Sequence, residues 1–100
     1  MPRASITLLD AVAAPVAGAF VSTANLSNPT LHTLGTFTGT IEIEGTNEDP
    51  PVAANIFQIG SDITAPGLIA LDPIPNFIRA NATALSAGAA TLVLGAELPG

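Results

Sequence analysis

The sequence predicts an all-β fold, an antiparallel β-sandwich or jelly roll of six to eight short strands. Three observations carry this expectation. Between Thr36 and Gly45, Phe37, Gly39, Ile41 and Ile43 alternate with Thr38, Thr40, Glu42 and Glu44, the period-two pattern of a strand with one side in the core and one in water. Glycine, proline or asparagine interrupts the chain roughly every eight to twelve residues, the spacing of turns in a sandwich. The stretch from Asn76 to Leu94, NFIRANATALSAGAATLVL, reads as a complete β-hairpin. In it Ile78, Ala80, Ala82 and Ala84 oppose Phe77, Arg79, Asn81 and Thr83. Ser86, Ala87 and Gly88 supply a loop in which Gly88 can take a positive φ, and Ala90, Leu92 and Leu94 then oppose Ala89, Thr91 and Val93. The alanines from Ala82 to Ala90 favour a helix by propensity, but Asn81, Thr83, Ser86 and Gly88 break that pattern too often.

Taken in order, Ser5 to Leu9 is the first strand candidate. The apolar run from Ala11 to Val21 follows Arg3 as a leader core would, but Asp10 precedes it and Pro15 and Gly18 interrupt it. Residues 1–20 are therefore read as the first strand with its bend, or as an extended N-terminal arm. The run is also too short and broken for a membrane span, which needs ~20 continuous apolar residues. From Ala19 to Leu26, Phe20, Ser22, Ala24 and Leu26 alternate with Val21, Thr23 and Asn25, a second strand pattern. Asn28-Pro29 reads as a turn before Leu31, His32 and Leu34.

Thr46 to Pro51, TNEDPP, is a polar loop whose prolines end the ladder. Ala54 to Gly60, with Ile56, Phe57 and Ile59, then returns as the second arm of a long-looped hairpin. Gly67 to Leu71 is an apolar strand, and Asp72-Pro73-Ile74-Pro75 turns the chain into the last pair. The expected core is Ile6, Leu8, Phe20, Phe37, Ile41, Ile43, Ile59, Leu71, Ile78, Leu92 and Leu94, with Phe57 and Phe77 on either face.

One hundred residues suffice for a single domain with one core, 1–100. There is no cysteine, so neither disulfides nor a thiolate metal site is available. Charged residues are 10% of the chain, against about 25% in an average domain. A surface this poor in charge is expected to be covered in part by a second copy or a larger body. Lysine is absent, and Arg3 and Arg79 face eight acids for a net charge of −6. Such a balance argues against nucleic acid and against an anionic membrane surface. Tyrosine and tryptophan, the usual rings of sugar clefts and interface hot spots, are also missing.

No catalytic constellation emerges. His32 is the sole histidine; lying between Leu31 and Leu34, it reads as a strand residue with no nucleophile or second ligand in reach. Asn47, Glu48, Asp49 and Asp62 offer oxygen ligands, yet their spacing fits no calcium loop and reads as a solvated acidic tip. The expectation is therefore no catalytic residue, no metal and no cofactor. Glu42 and Glu44, two apart on a wet strand face, need a cation, and Arg79 is the internal choice, within the chain or across a subunit boundary. Arg79, Glu42, Glu44, Phe20 and Phe77 are thus the residues expected at an interface.

The order GTIEIEGTNED, NIFQIGS, a proline turn and NFIRANATALSAGAATLVL, over Gly39 to Leu94, resembles small β-sandwich proteins of tailed-phage particles, notably capsid decoration (cement) proteins. A second likeness is to discoidin and galactose-binding-like jelly rolls, although this chain is shorter and has Phe77 where they have tyrosine. The first resemblance implies a non-enzymatic virion protein on the outer capsid surface, commonly a homotrimer, that clamps neighbouring major capsid protein subunits. In that setting the segment from Pro2 to Phe20 would reach onto a neighbour, or is simply the first strand. The second implies a carbohydrate-binding or host-adhesion module using the loops Thr46 to Pro51 and Ser61 to Pro66.

Overall fold

The computed structural model describes residues 3–98, and within them the chain forms nine strands and one short 3-10 turn. They are β1 (Arg3–Val12), β2 (Val16–Ala17), β3 (Val21–Ser22), β4 (Ser27–Leu34), β5 (Phe37–Thr46), β6 (Phe57–Ile63), β7 (Gly67–Ala70), β8 (Phe77–Gly88) and β9 (Ala90–Glu97). Two antiparallel sheets face each other, one in the order β1-β9-β4-β7 and the other β2-β8-β5-β6. Strands β2 and β3 pair with successive stretches of the same edge of β8, so together they fill one position. The sandwich then has eight positions in two sheets, the arrangement of a jelly roll. Nine strands are distinguished because, after the Gly18 N–H donates to the Ala80 carbonyl at 2.8 Å, Ala19 and Phe20 leave the ladder and cut the edge strand in two.

The stretch expected to be a hairpin is the main correction. Strands β8 and β9 lie in different sheets: β8 pairs with β5, and β9 pairs with β4 and β1. The chain crosses the sandwich at Ala89, beside the crossing at Gly35 and Thr36 that links β4 to β5, and the Ala89 N–H donates to the Thr36 carbonyl at 3.3 Å. Pairing keeps one register through the corner, from Leu31 opposite Leu94 and Leu34 opposite Thr91 to Phe37 opposite Gly88 and Thr38 opposite Ala87. Strands β4-β5 and β8-β9 are therefore one two-stranded ribbon folded over the core. Gly88 does take a positive φ of 78°, and a Cβ there would run into the Thr36 carbonyl.

Beyond the corner, β8 carries two bulges. Gly39 faces Leu85 and Ile41 faces Ala82, which leaves Ser86 and Thr83 unpaired. Each extra residue turns its hydroxyl to the partner strand: Thr83 Oγ1 donates to the Thr40 carbonyl and Ser86 Oγ to the Thr38 carbonyl, both at 3.4 Å. The shift turns Ala84, which alternation placed on the same face as Ile78, to the surface, and brings Leu85 inside. A bulge at Leu8 in β1 likewise buries Leu8 and Leu9 side by side.

Two expected turns and strands also differ. Asn28-Pro29 is a bulge within β4, with Asn28 at φ 49°, and the strand continues through it. The strand expected over Ala19 to Leu26 ends at Ser22 because Ala24 and Asn25 form a turn closed by Leu26 N–H on the Thr23 carbonyl, with Asn25 at φ 64°. The long-looped hairpin of β5 and β6 is present, with β6 starting at Phe57.

Leu31, Ile41, Ile43, Ile78, Leu92 and Leu94, all on the four central strands, are the largest fully buried side chains. Ala80, Ala82, Ala90 and Ala96 fill the narrower gaps, so the two sheets close tightly without large residues on every position. Of the expected core, Leu8, Ile41, Ile43, Ile59, Leu71, Ile78, Leu92 and Leu94 are buried, and Ile6 and Phe37 pack at its rim. Phe20 does not join it: with the edge strand interrupted around it, its ring lies against Arg79 instead.

Candidate functional site

Three surfaces carry the features from which function can be argued. The first is the outer face of the β2-β8-β5-β6 sheet. Arg79 on β8 stands opposite Glu44 on β5, and its Nε donates to Glu44 Oε1 at 2.9 Å. The pair is shielded, with about a fifth of the Arg79 side chain and less of Glu44 exposed. Asn81 Nδ2 lies 3.4 Å and 3.5 Å from the two Glu44 oxygens, and the Phe20 ring covers the guanidinium with its centroid 4.9 Å from Cζ. Glu42 stands opposite Asn81 one pleat along, and Phe77 is half-buried where β8 meets β3. The cation required by the two acids is thus found within the chain, on Glu44. Arg79 and Glu44 balance each other's charge, and the group presents no nucleophile.

The second surface is the outer face of the other sheet. Thr7, Val93, His32 and Leu68 form one row across all four strands, and Ser5, Gly95, Thr30 and Ala70 form the next. Neither row contains an acid, a lysine or an arginine. The charges on this face lie toward its two ends: at one, Arg3 Nη1 meets Glu97 Oε1 at 3.4 Å in an exposed pair, and at the other Asp10 is exposed on β1 just past Leu9. Leu68 is two-thirds exposed and Leu34 two-fifths. His32 is exposed in the centre of this face.

The third is a cleft of about 390 Å³ at the end of the sandwich, between the β5-β6 loop and the β7-β8 connection. Asn47, Asn55, Phe57, Gln58, Pro73 and Pro75 are among its walls. The connection is fixed to the loop by Asn76, whose N–H donates to Asn47 Oδ1 at 3.0 Å and whose Nδ2 donates to the Asn47 carbonyl at 3.2 Å. Thr23 Oγ1 donates to the Pro75 carbonyl from below. Gly45 permits the approach, since a Cβ there would collide with the Pro75 ring. Phe57 stands open, three-quarters exposed, an aromatic that alternation left on either face. Asn47, Glu48, Asp49 and Asp62 do not converge: Asn47 holds Asn76, Asp62 Oδ1 accepts from Gln58 Nε2 at 2.7 Å, and among the described residues no three acids or histidines gather.

This architecture defines the chain as a jelly-roll domain. No family model matches it, and no curated protein matches it. Among solved structures, the crystal structure of the SPBc2 prophage-derived protein YomS is similar, with a TM-score of 0.69 over 96% of this chain and 94% of that one, at 12% sequence identity. At that identity the likeness establishes a shared fold.

Proposed function

We propose that this chain is a non-enzymatic structural protein of a phage particle, a decoration (cement) protein that sits as a homotrimer on the outer surface of the head and stabilises contacts between major capsid protein subunits. The observation that carries the reading is the uncharged middle of the outer face of the β1-β9-β4-β7 sheet. A protein of net charge −6 keeps two rows across all four strands, Thr7-Val93-His32-Leu68 and Ser5-Gly95-Thr30-Ala70, free of acids, lysine and arginine, as a surface buried against a partner would be. The Arg79 group on the opposite sheet satisfies itself, which leaves the neutral face for the coat subunit. The prophage origin of YomS and the fold it shares over nearly its whole length support a place in phage biology. The jelly roll is also a fold that capsid proteins use.

The test is to purify particles from the strain that encodes the chain and probe them with an antibody against it. Labelling of heads is expected, with a concentration-independent trimer by light scattering on the isolated protein. Absence of the chain from purified particles overturns the virion assignment. Labelling confined to tails leaves a virion protein but removes the decoration role.

A further inference from the structure

We infer that the cleft beside Phe57 is a binding site for a neutral saccharide, a function separate from docking on a head and standing whether or not that reading holds. The argument begins with an exposed ring. Phe57 leaves three-quarters of its surface in water at the mouth of a concave site, where a flat apolar face can receive the C–H face of a pyranose. Beside it stand two amides. Asn47 commits its Oδ1 and main-chain carbonyl to Asn76, while its Nδ2 has no hydrogen-bond partner among the described residues. The side chain of Asn55, which also lines the cleft, makes no hydrogen bond among the described residues. Free amide donors and acceptors beside an aromatic face suit vicinal hydroxyls, which both donate and accept.

The charge of the site narrows the ligand class. None of the lining residues is ionisable, so no cation is held there and no guanidinium or ammonium waits for a phosphate or carboxylate. Glu48, Asp49 and Asp62 lie on the adjoining loop and strand and repel anions. A neutral polyol remains the fitting ligand, and acidic sugars are excluded. About 390 Å³ lies near the lower end of the ~300–1,000 Å³ typical of small-molecule pockets, room for a sugar ring or two. The walls are held in place before any ligand arrives, by Asn76 on Asn47 and by Pro75 over Gly45. Of the two loops the sequence offered for sugar binding, Thr46 and Asn47 reach this cleft, whereas Ser61 to Pro66 border a separate hollow beside Ile69.

Nitrogen-15 labelled protein titrated with millimolar methyl α-glucoside, methyl β-galactoside, methyl α-mannoside and N-acetylglucosamine tests the inference by NMR. At least one neutral sugar is expected to shift the side-chain amides of Asn47 and Asn55 saturably. Phe57→Ala, at an exposed position that leaves the melting curve in place, should weaken that binding by roughly tenfold or more. N-acetylneuraminic acid should leave the same resonances unmoved. The site is refuted if no neutral sugar moves these amides, if they respond equally in Phe57→Ala, or if the acidic sugar binds as well as the neutral ones.

Discussion

At the scale of the residue, Arg79 is where this acidic chain concentrates its electrostatics. Its guanidinium is hydrogen-bonded to Glu44, with Asn81 beside the same carboxylate and Phe20 over the plane, so three kinds of contact converge on one cation. Exposed ion pairs contribute ~0.2–1 kcal/mol, and breaking a fully buried pair costs ~3–5 kcal/mol. Arg79 lies between these limits, and Arg79→Ala should lower stability by about 1–2 kcal/mol in urea denaturation. Arg3, in the exposed pair with Glu97, provides the control: Arg3→Ala should cost under roughly 0.5 kcal/mol. Equal losses in the two variants would show that the shielded cluster adds nothing. That Arg79 must find an acid was legible from the scarcity of cations. Which acid it finds, and that Phe20 would leave the core to cover it, depends on the interrupted edge at Ala19 and Phe20, which alternation does not register.

At the scale of the element, the corner at Gly88 decides the topology. Hydrophobic alternation assigns each side chain a face but not a sheet, and a positive-φ glycine serves a hairpin loop and a crossing between sheets equally well. The runs from Phe77 to Ala84 and from Ala89 to Leu94 were therefore readable as strands, whereas their partners, and the continuation of β8 through Ser86 to Gly88, were not. Bulges explain the remaining differences along these strands: Thr83 adds one residue and shifts the alternation that follows, which is why Ala84 turns outward and Leu85 inward, and Ser86 adds another. Leu31 was overlooked as core because Asn28-Pro29 reads as a turn, although it is a kink inside β4. The cleft was legible only as a polar loop, since its walls come from segments about 30 residues apart and are joined by Asn76. Gly88 and Gly60 make a matched test of the corner. Both have positive φ, but an added Cβ at Gly60 meets open space and at Gly88 meets the Thr36 backbone. Gly60→Ala should cost about 1–2 kcal/mol from backbone strain alone, and Gly88→Ala about 2–5 kcal/mol from strain and overlap. Equal effects would mean that the corner gives way freely.

At the scale of the whole molecule, the folded ribbon sets what each face can do. Its four strands, β4, β5, β8 and β9, supply the largest fully buried side chains of the core, and one outer face of the sandwich is neutral through its middle rows while the other carries the Arg79 cluster. The cleft occupies the end where the β5-β6 loop meets the β7-β8 connection. Arg3 and Glu97 are partners on adjacent strands, which places them ~5 Å apart at their Cα atoms. The described residues, 3–98, thereby nearly close on themselves, and their order of segments is one of several that the same sandwich would accept. Linking residue 98 to residue 3 through a few glycines, and opening the chain between Thr64 and Ala65 in the exposed β6-β7 connection, should yield a circular permutant with the parent circular dichroism spectrum. A permutant that fails to fold would show that β1 must lead the chain. A permutant that folds would let a cargo be carried from the β6-β7 connection as well as from the Arg3 and Glu97 corner, two separate points of attachment on one small scaffold.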